Sequence, residues 1–242
     1  MSIVLIKMSG AAIADVDGDS FLDVERLDSF ASQVAGALTE DDSLRVAIVV
    51  GGGNILRGKS LDGVQRVKAD YMGMLATVIN SLALQDSLAR FGADSRILTG
   101  IEVPKVAEPY IQGRAIKHLS KGRVVIFGGG TGNPFFTTDT AAALRASEIA
   151  ASVVLLAKDG TDGVYDQDPR KFAGAKKYEQ ITYEDLMVAG LEVMDQQAAA
   201  HCRENAIPVY VFNMESDGAV RRALLGEREA GTLVGGAVTV FA

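Results

Sequence analysis

The residues of this 242-residue chain best suited to chemistry are a few cations set beside clustered glycines. Lys7 ends an apolar run, Ile3-Val4-Leu5-Ile6, and is followed by Met8-Ser9-Gly10. A second apolar run, residues 45–50, leads into Gly51-Gly52-Gly53-Asn54, with Arg57 just beyond. A third leads into Gly128-Gly129-Gly130-Thr131-Gly132-Asn133-Pro134-Phe135-Phe136-Thr137-Thr138-Asp139, and a fourth into Lys158-Asp159-Gly160-Thr161-Asp162-Gly163-Val164-Tyr165-Asp166-Gln167-Asp168. Glycine leaves backbone N–H groups open to an approaching anion, and Lys7 and Arg57 are then charged clamps on it. Thr137 or Thr138 reads as the cap of a following helix, with Asp139 in its first turn, where a carboxylate suits the helix dipole. The same carboxylate can orient a lysine and approach magnesium in a phosphate cleft. Tyr165 with the neighbouring carboxylates suits the base end of a nucleotide. Phe135 and Phe136 read as core or interface residues rather than base-stacking ones. Asp162-Gly163 reads as an ordinary turn.

The elements that position these loops are legible as an alternation. Strand-like runs at 3–8, 45–50, 95–98, 123–127, 152–157 and 208–213 are separated by helix-period stretches at 24–38, 71–88, 111–119, 138–151, 182–188, 196–204 and 218–225. In the longest, Tyr71, Met74, Leu75, Val78, Ile79, Leu82 and Leu88 form one apolar stripe, and Asp70 opens the helix. Alternation of this kind predicts crossover connections and a largely parallel sheet covered on both faces. Ligands in such sheets sit beyond the carboxyl ends of the strands, where all four loops fall. No linker or repeat interrupts the pattern, so residues 1–242 are expected to form a single domain.

Composition narrows the function. Hydrophobic residues at 48% with charged residues at 23% exclude a disordered chain. The net charge of −7 disfavours a general nucleic-acid coat, so any anion must be bound by local devices. One cysteine, Cys202, and two histidines, His118 and His201, exclude a disulfide framework and leave little for a metal site. His201 and Cys202 fall near the apolar side of one helix and read as structural. No apolar run is long enough to span a bilayer and no leader is readable, so no membrane partner and a cytoplasmic location are expected. Gly53 to Ser60 matches the phosphate-loop pattern G-x-x-x-x-G-K-S. However, Gly63 weakens the helix that must follow at once, and no clear partner strand ends in a magnesium-binding Asp. The pattern therefore reads as a decoy.

These loops, in this order, resemble the bacterial uridylate (UMP) kinases of the amino-acid-kinase superfamily. The resemblance rests on Lys7-Met8-Ser9-Gly10, residues 51–58, the stretch DYMGMLATVINSLALQD at 70–86, Glu108-Pro109-Tyr110-Ile111, GTGNPFFTTDTAAALRA at 130–146, DGVYDQDP at 162–169, Val193-Met194-Asp195, VFNM at 211–214 and GTLV at 231–234. It spans nearly the whole chain. It implies an α/β fold, an αβα sandwich with a mostly parallel sheet of about eight strands, a homohexamer, and transfer of a phosphoryl group from ATP, carried with Mg2+, to UMP. It puts Lys7, Met8, Ser9, Gly10 and Gly53 on the ATP phosphates, Arg57 at the phosphates between the substrates, and Asp159, Tyr165 and Asp168 on the adenosine side. It puts Gly52, Asp70, Thr131, Gly132, Asn133, Pro134, Phe135, Phe136, Thr137 and Thr138 on UMP, with Asp70 toward the ribose and Thr131 and Asn133 toward uracil. Lys7, Arg57 and Asp139 are the implied catalytic set. GTP activation and UTP inhibition are further implications. The chain departs from the family pattern at Ala11, at residues 19–23 and at Gln112-Gly113-Arg114, all outside that set. Two other readings compete: a superfamily member acting on another small anionic acceptor, and a protein that binds a nucleotide or oxyanion without turnover.

Overall fold

Short β-branched runs form the central strands, which are buried on both sides. The computed structural model describes residues 2–15, 20–56, 63–158, 160–191, 193–228 and 230–242. Its strands are β1 (Ser2–Met8), β2 (Leu44–Val50), β3 (Ser95–Thr99), β4 (Glu108–Pro109), β5 (Val124–Gly128), β6 (Val153–Lys158), β7 (Tyr178–Ile181), β8 (Val209–Asn213), β9 (Thr232–Val234) and β10 (Val240–Phe241). Its helices are α1 (Val24–Glu40), α2 (Arg66–Arg90), α3 (Gln112–Ser120), α4 (Thr138–Glu148), α5 (Tyr183–Val188), α6 (Gln196–Glu204) and α7 (Ala219–Leu224), and a 3-10 turn spans Gly10–Ile13.

All ten strands join one sheet in the order β10-β7-β9-β8-β6-β1-β2-β5-β3-β4. Seven of the pairings are parallel; β8–β9 and β7–β10 are antiparallel. The sheet has ten strands rather than the expected eight. β4 and β10, at its two edges, are two-residue strands too short to show a period in sequence. The chain winds outward from β1 through β2 to β3, then returns to the other side of β1 with β6. β1 thus sits at the topological switch point, where a crevice opens beyond the strand ends.

Side-chain alternation divides the core. Val4, Ile6 and Met8 of β1 pack with Leu27 and Phe30 of α1, Leu84 and Leu88 of α2, and Val220 of α7. Ile3 and Leu5 face the other way, onto Ala115 of α3, Ala142 and Ala146 of α4, Leu186 of α5 and Ala198 and Cys202 of α6. This gives the expected αβα sandwich. Because the strand period is two, Lys7 follows Ile3 and Leu5 onto the α4 side. Lys158 likewise follows Val154 and Leu156 of β6 onto that side. Two lysines on adjacent parallel strands therefore emerge together, beside the start of α4.

The apolar stripe expected on the longest helix splits. Met74, Val78 and Leu88 are buried, but Tyr71, Leu75, Ile79 and Leu82 are exposed, Leu75 at 48%. In their place α2 buries Thr77, Asn80 and Ser81. The helix also starts at Arg66, so Asp70 lies one turn inside it rather than opening it.

Candidate active site

The site is built where β1, β2, β5 and β6 end. Lys7 Nζ lies 2.8 Å from Asp139 Oδ1, and both side chains are largely buried. Asp139 is fixed by its helix. Thr137 is the N-cap of α4 and its Oγ1 accepts from the backbone N–H of Asp139 at 3.1 Å and of Thr140 at 3.3 Å. The Thr137 hydroxyl donates to the Asp195 carboxylate, which also accepts from Thr140 Oγ1 and caps α6 through Ala198 N. Asp195 thereby ties the start of α4 to the start of α6. With one proton given and two accepted, the Thr137 hydroxyl has no capacity left for a ligand.

Lys158 completes the cationic group. Its Nζ donates to Val193 O at 2.6 Å. Burial, joined by the Lys7 charge, holds its ammonium below the ordinary lysine range, with Asp139 opposing. The sequence reading passed over Lys158 as a binding cation. Its position at the end of a strand, like that of Lys7, was the available signal.

Two glycine loops close on each other beside this group. Gly51 N donates to Met8 O at 2.9 Å. A Cβ on Gly10 would lie 2.4 Å from Gly53 N, so only glycine allows the first two loops to touch backbone to backbone. The Met8 side chain is fully buried in the core, which leaves only its backbone for the cleft. Ser9 Oγ accepts from Ala11 N at 3.3 Å and caps the 3-10 turn.

A cavity of about 230 Å³ lies between the second loop, the first half of α2 and the third loop. Among its lining residues are Gly52, Gly53, Arg66, Asp70, Thr131, Asn133, Phe136, Thr137 and Thr138. Gly132, Pro134 and Phe135 of the expected set do not line it. Phe135 is exposed, with φ +73°, an uncommon backbone for an aromatic residue. Its N–H donates to Asp70 Oδ2 at 2.8 Å. Arg66 Nε also donates to both Asp70 oxygens, at 2.8 and 2.9 Å, and its guanidinium stands 5.7 Å from the Phe135 ring centre. Arg66 is a second cation the sequence reading missed, because an arginine in a helix of mixed charge carries no signal without its partner.

On the far side of Asp139 lie a cavity of about 550 Å³, lined by Asp139, Lys158, Val193, Met194 and Asp195, and one of about 480 Å³, lined by Lys158, Val164, Tyr165, Asp168 and Val193. They share Lys158, Gly190, Leu191 and Val193. Tyr165 OH donates to Asp162 Oδ1 at 2.7 Å. Burial, then that carboxylate, pushes the phenol up to about 12. Burial alone would raise Asp162, but its bonds from Tyr165 and Lys177 outweigh it and hold the carboxyl low. Asp162 is thus an ion-pair partner rather than a plain turn residue. Asp168 Oδ1 accepts from Arg170 N at 3.0 Å. Arg57 and Asp159 lie outside the described residues.

The first turn of α4 is therefore a partition. Thr137 and Thr138 line the smaller cavity, and Asp139 lines the one of about 550 Å³. A helix N-terminus flanked by buried lysines between two cavities can hold two anionic groups against each other. Residues 57–60 of the phosphate-loop pattern, and 61–62 after it, lie outside the described residues; just beyond them Gly63 has φ +81° and α2 starts at Arg66. Cys202 is buried, which pushes its thiol up to about 11, and His201 Nε2 pairs with Ser147 Oγ at 2.7 Å. Both serve packing between α4 and α6.

The chain belongs to the amino acid kinase family, whose model matches residues 2–213. Two solved structures give a finer likeness. The UMP kinase from Bacillus anthracis is 41% identical, with a TM-score of 0.94 over 100% of this chain and 98% of that one. The UMP kinase from Ureaplasma parvum is 38% identical, with a TM-score of 0.89 over 96% of this chain and 98% of that one.

Proposed function

We propose that the chain is a UMP kinase: one domain that transfers the γ-phosphoryl group of ATP, carried with Mg2+, to UMP, giving UDP and ADP. The observation that carries the reading is a pair of cavities on either side of the first turn of α4, one lined by Thr137 and Thr138 and the other by Asp139, which is ion-paired to Lys7. The full-length likeness to two UMP kinases supplies the acceptor.

An oxygen of the UMP phosphate attacks the γ-phosphorus in line, and the bond to the ADP oxygen breaks. The attacking group is already an anion, so no strong base is needed, and catalysis is positioning plus charge stabilisation. Lys7, held by Asp139, neutralises the transferring group. Lys158 serves the triphosphate, and Arg57 the phosphates between the substrates. Among the described residues no three acidic, histidine or cysteine side chains gather to hold a metal. One buried carboxylate, Asp139, fits a hard cation that arrives on the triphosphate and keeps most of its ligands there.

Asp70 reads the ribose hydroxyls, and Thr131 and Asn133 the uracil. ATP takes the larger cavities with its base toward Tyr165 and Asp168. No described helix is long and apolar enough to cross a membrane, and a cytoplasmic location goes with this reading. Exposed Tyr71, Leu75, Ile79 and Leu82 form an apolar ridge at four- and three-residue spacing on α2. Such a ridge supports self-association, as in a homohexamer. UTP inhibition would use the UMP cavity, and GTP activation a site between subunits.

The test is ADP formation from Mg-ATP with UMP, CMP, dUMP and AMP offered separately, with and without GTP. Turnover confined largely to UMP is expected. Folded protein that binds UMP without turnover overturns the assignment.

A further inference from the structure

The middle of helix α2 exposes large apolar side chains and buries polar ones. Leu75 and Ile79 are 48% and 44% exposed, whereas Thr77, Asn80 and Ser81 are buried. Burying polar groups is costly unless every one is bonded, so their partners show what they are for. Ser81 Oγ turns back to Thr77 O in its own helix, at 2.7 Å. Thr77 and Asn80 instead bond the two glycine loops.

Thr77 Oγ1 donates to Met74 O at 2.7 Å, which aims its lone pair outward, and accepts from Gly129 N at 2.7 Å. Gly129 has φ +73°, and its carbonyl accepts from Gly132 N at 3.0 Å. The anchored N–H therefore sets the turn that presents Thr131 and Asn133. Asn80 Nδ2 donates to Gly51 O and to Asn54 Oδ1, both at 2.7 Å. Asn54 Nδ2 returns a bond to Asn80 Oδ1 at 3.1 Å and donates to Phe21 O at 2.9 Å. Both amides use both donors, and reversing Asn80 would set its oxygen against Gly51 O. The loop held this way carries Gly52 into the smaller cavity and presses Gly53 N against Gly10 beside Lys7.

We infer that Thr77 and Asn80 are positioning residues: Thr77 holds the third loop for the acceptor nucleotide alone, and Asn80 holds the second loop for both acceptor and donor. The inference rests on the kinase reading above and adds a division of labour to it. Thr77 also lines the smaller cavity, but its hydroxyl is spent on Met74 O and Gly129 N, and Asn80 does not line it.

Steady-state kinetics on Thr77→Val, Thr77→Ser and Asn80→Ala, with thermal melts on each, tests it. Thr77→Val keeps the shape and removes the acceptor. It should raise KM for UMP about tenfold, the size of a lost bond to a buried group, with KM for ATP unchanged. Thr77→Ser keeps the oxygen and should bring KM for UMP back toward the parent value. Asn80→Ala should raise both KM values. A Thr77→Val enzyme with the parent KM for UMP, or with both KM values raised equally and no rescue by serine, overturns the inference. Should Asn80→Ala fail to fold, the threonine pair decides alone. Parent enzyme inert toward UMP would instead sink the functional reading, so the two failures are distinguishable.

Discussion

Lys7 and Asp139 form a largely buried ion pair. Lys7→Ala is expected to lower kcat about 10²–10³-fold, the cost of one preorganised charge-stabilising donor, with ATP binding measured separately to show that the protein is intact. Lys158 makes a different prediction. Its proton is held below the ordinary lysine range, chiefly by burial. In the proposed role Lys158 meets the triphosphate as a cation, so kcat/KM for ATP should fall as pH rises through that lowered value, earlier than an ordinary lysine would allow. Lys158→Arg stays charged throughout and should flatten the alkaline limb. A limb that persists in the arginine variant belongs to another group. Arg66 acts through Asp70, whose two oxygens it clasps. Arg66→Ala should raise KM for UMP roughly fivefold, within the ~1 kcal/mol range of a solvent-exposed pair, and narrow the preference for UMP over dUMP. Competition assays with the two nucleotides check it.

Among the elements, α4 shows how local chemistry and long-range contact combine. The threonine cap and first-turn aspartate were legible from residue types alone, because an N-cap is a local hydrogen-bonding problem. The partner of that cap was not. Asp195 is 58 residues away from Thr137, and only folding brings the start of α6 to it. Thr137→Ala should therefore cost about 1–2 kcal/mol of stability through the lost cap. It should also lower kcat more than it raises KM for UMP, since the hydroxyl is fully spent on Asp195 and α4. Urea melts and steady-state kinetics read the two effects. Long elements with a strong period were placed within a few residues, such as α6 (Gln196–Glu204) and α1 (Val24–Glu40). β7, β9 and β10 escaped because two to four residues cannot display an alternation, and their pairing partners are remote in sequence.

For the molecule as a whole, the order of the strands matters most. Winding out from β1 and back to β6 leaves a crevice at one point, and Lys7 stands at it. The second consequence is the outer surface of α2, where Tyr71, Leu75, Ile79 and Leu82 meet solvent. Replacing Leu75 and Ile79 together by Glu should shift the mass measured by light scattering toward that of one chain, while the far-UV spectrum stays unchanged. An unaltered mass places self-association elsewhere.

The residues alone determined the α/β class, the four loops at strand ends, and the threonine cap with its first-turn aspartate. Each of these follows from periodicity, backbone freedom at glycine or capping, which act over a few neighbours. Folding in three dimensions decided which face of α2 is core, since an apolar period of 3.6 names a stripe but not what lies against it. It also decided the second cation at Lys158, the clasp of Arg66 on Asp70 and the grip of Thr77 and Asn80 on the glycine loops. Those contacts join residues far apart in the chain, and their partners' geometry leaves no mark in local composition.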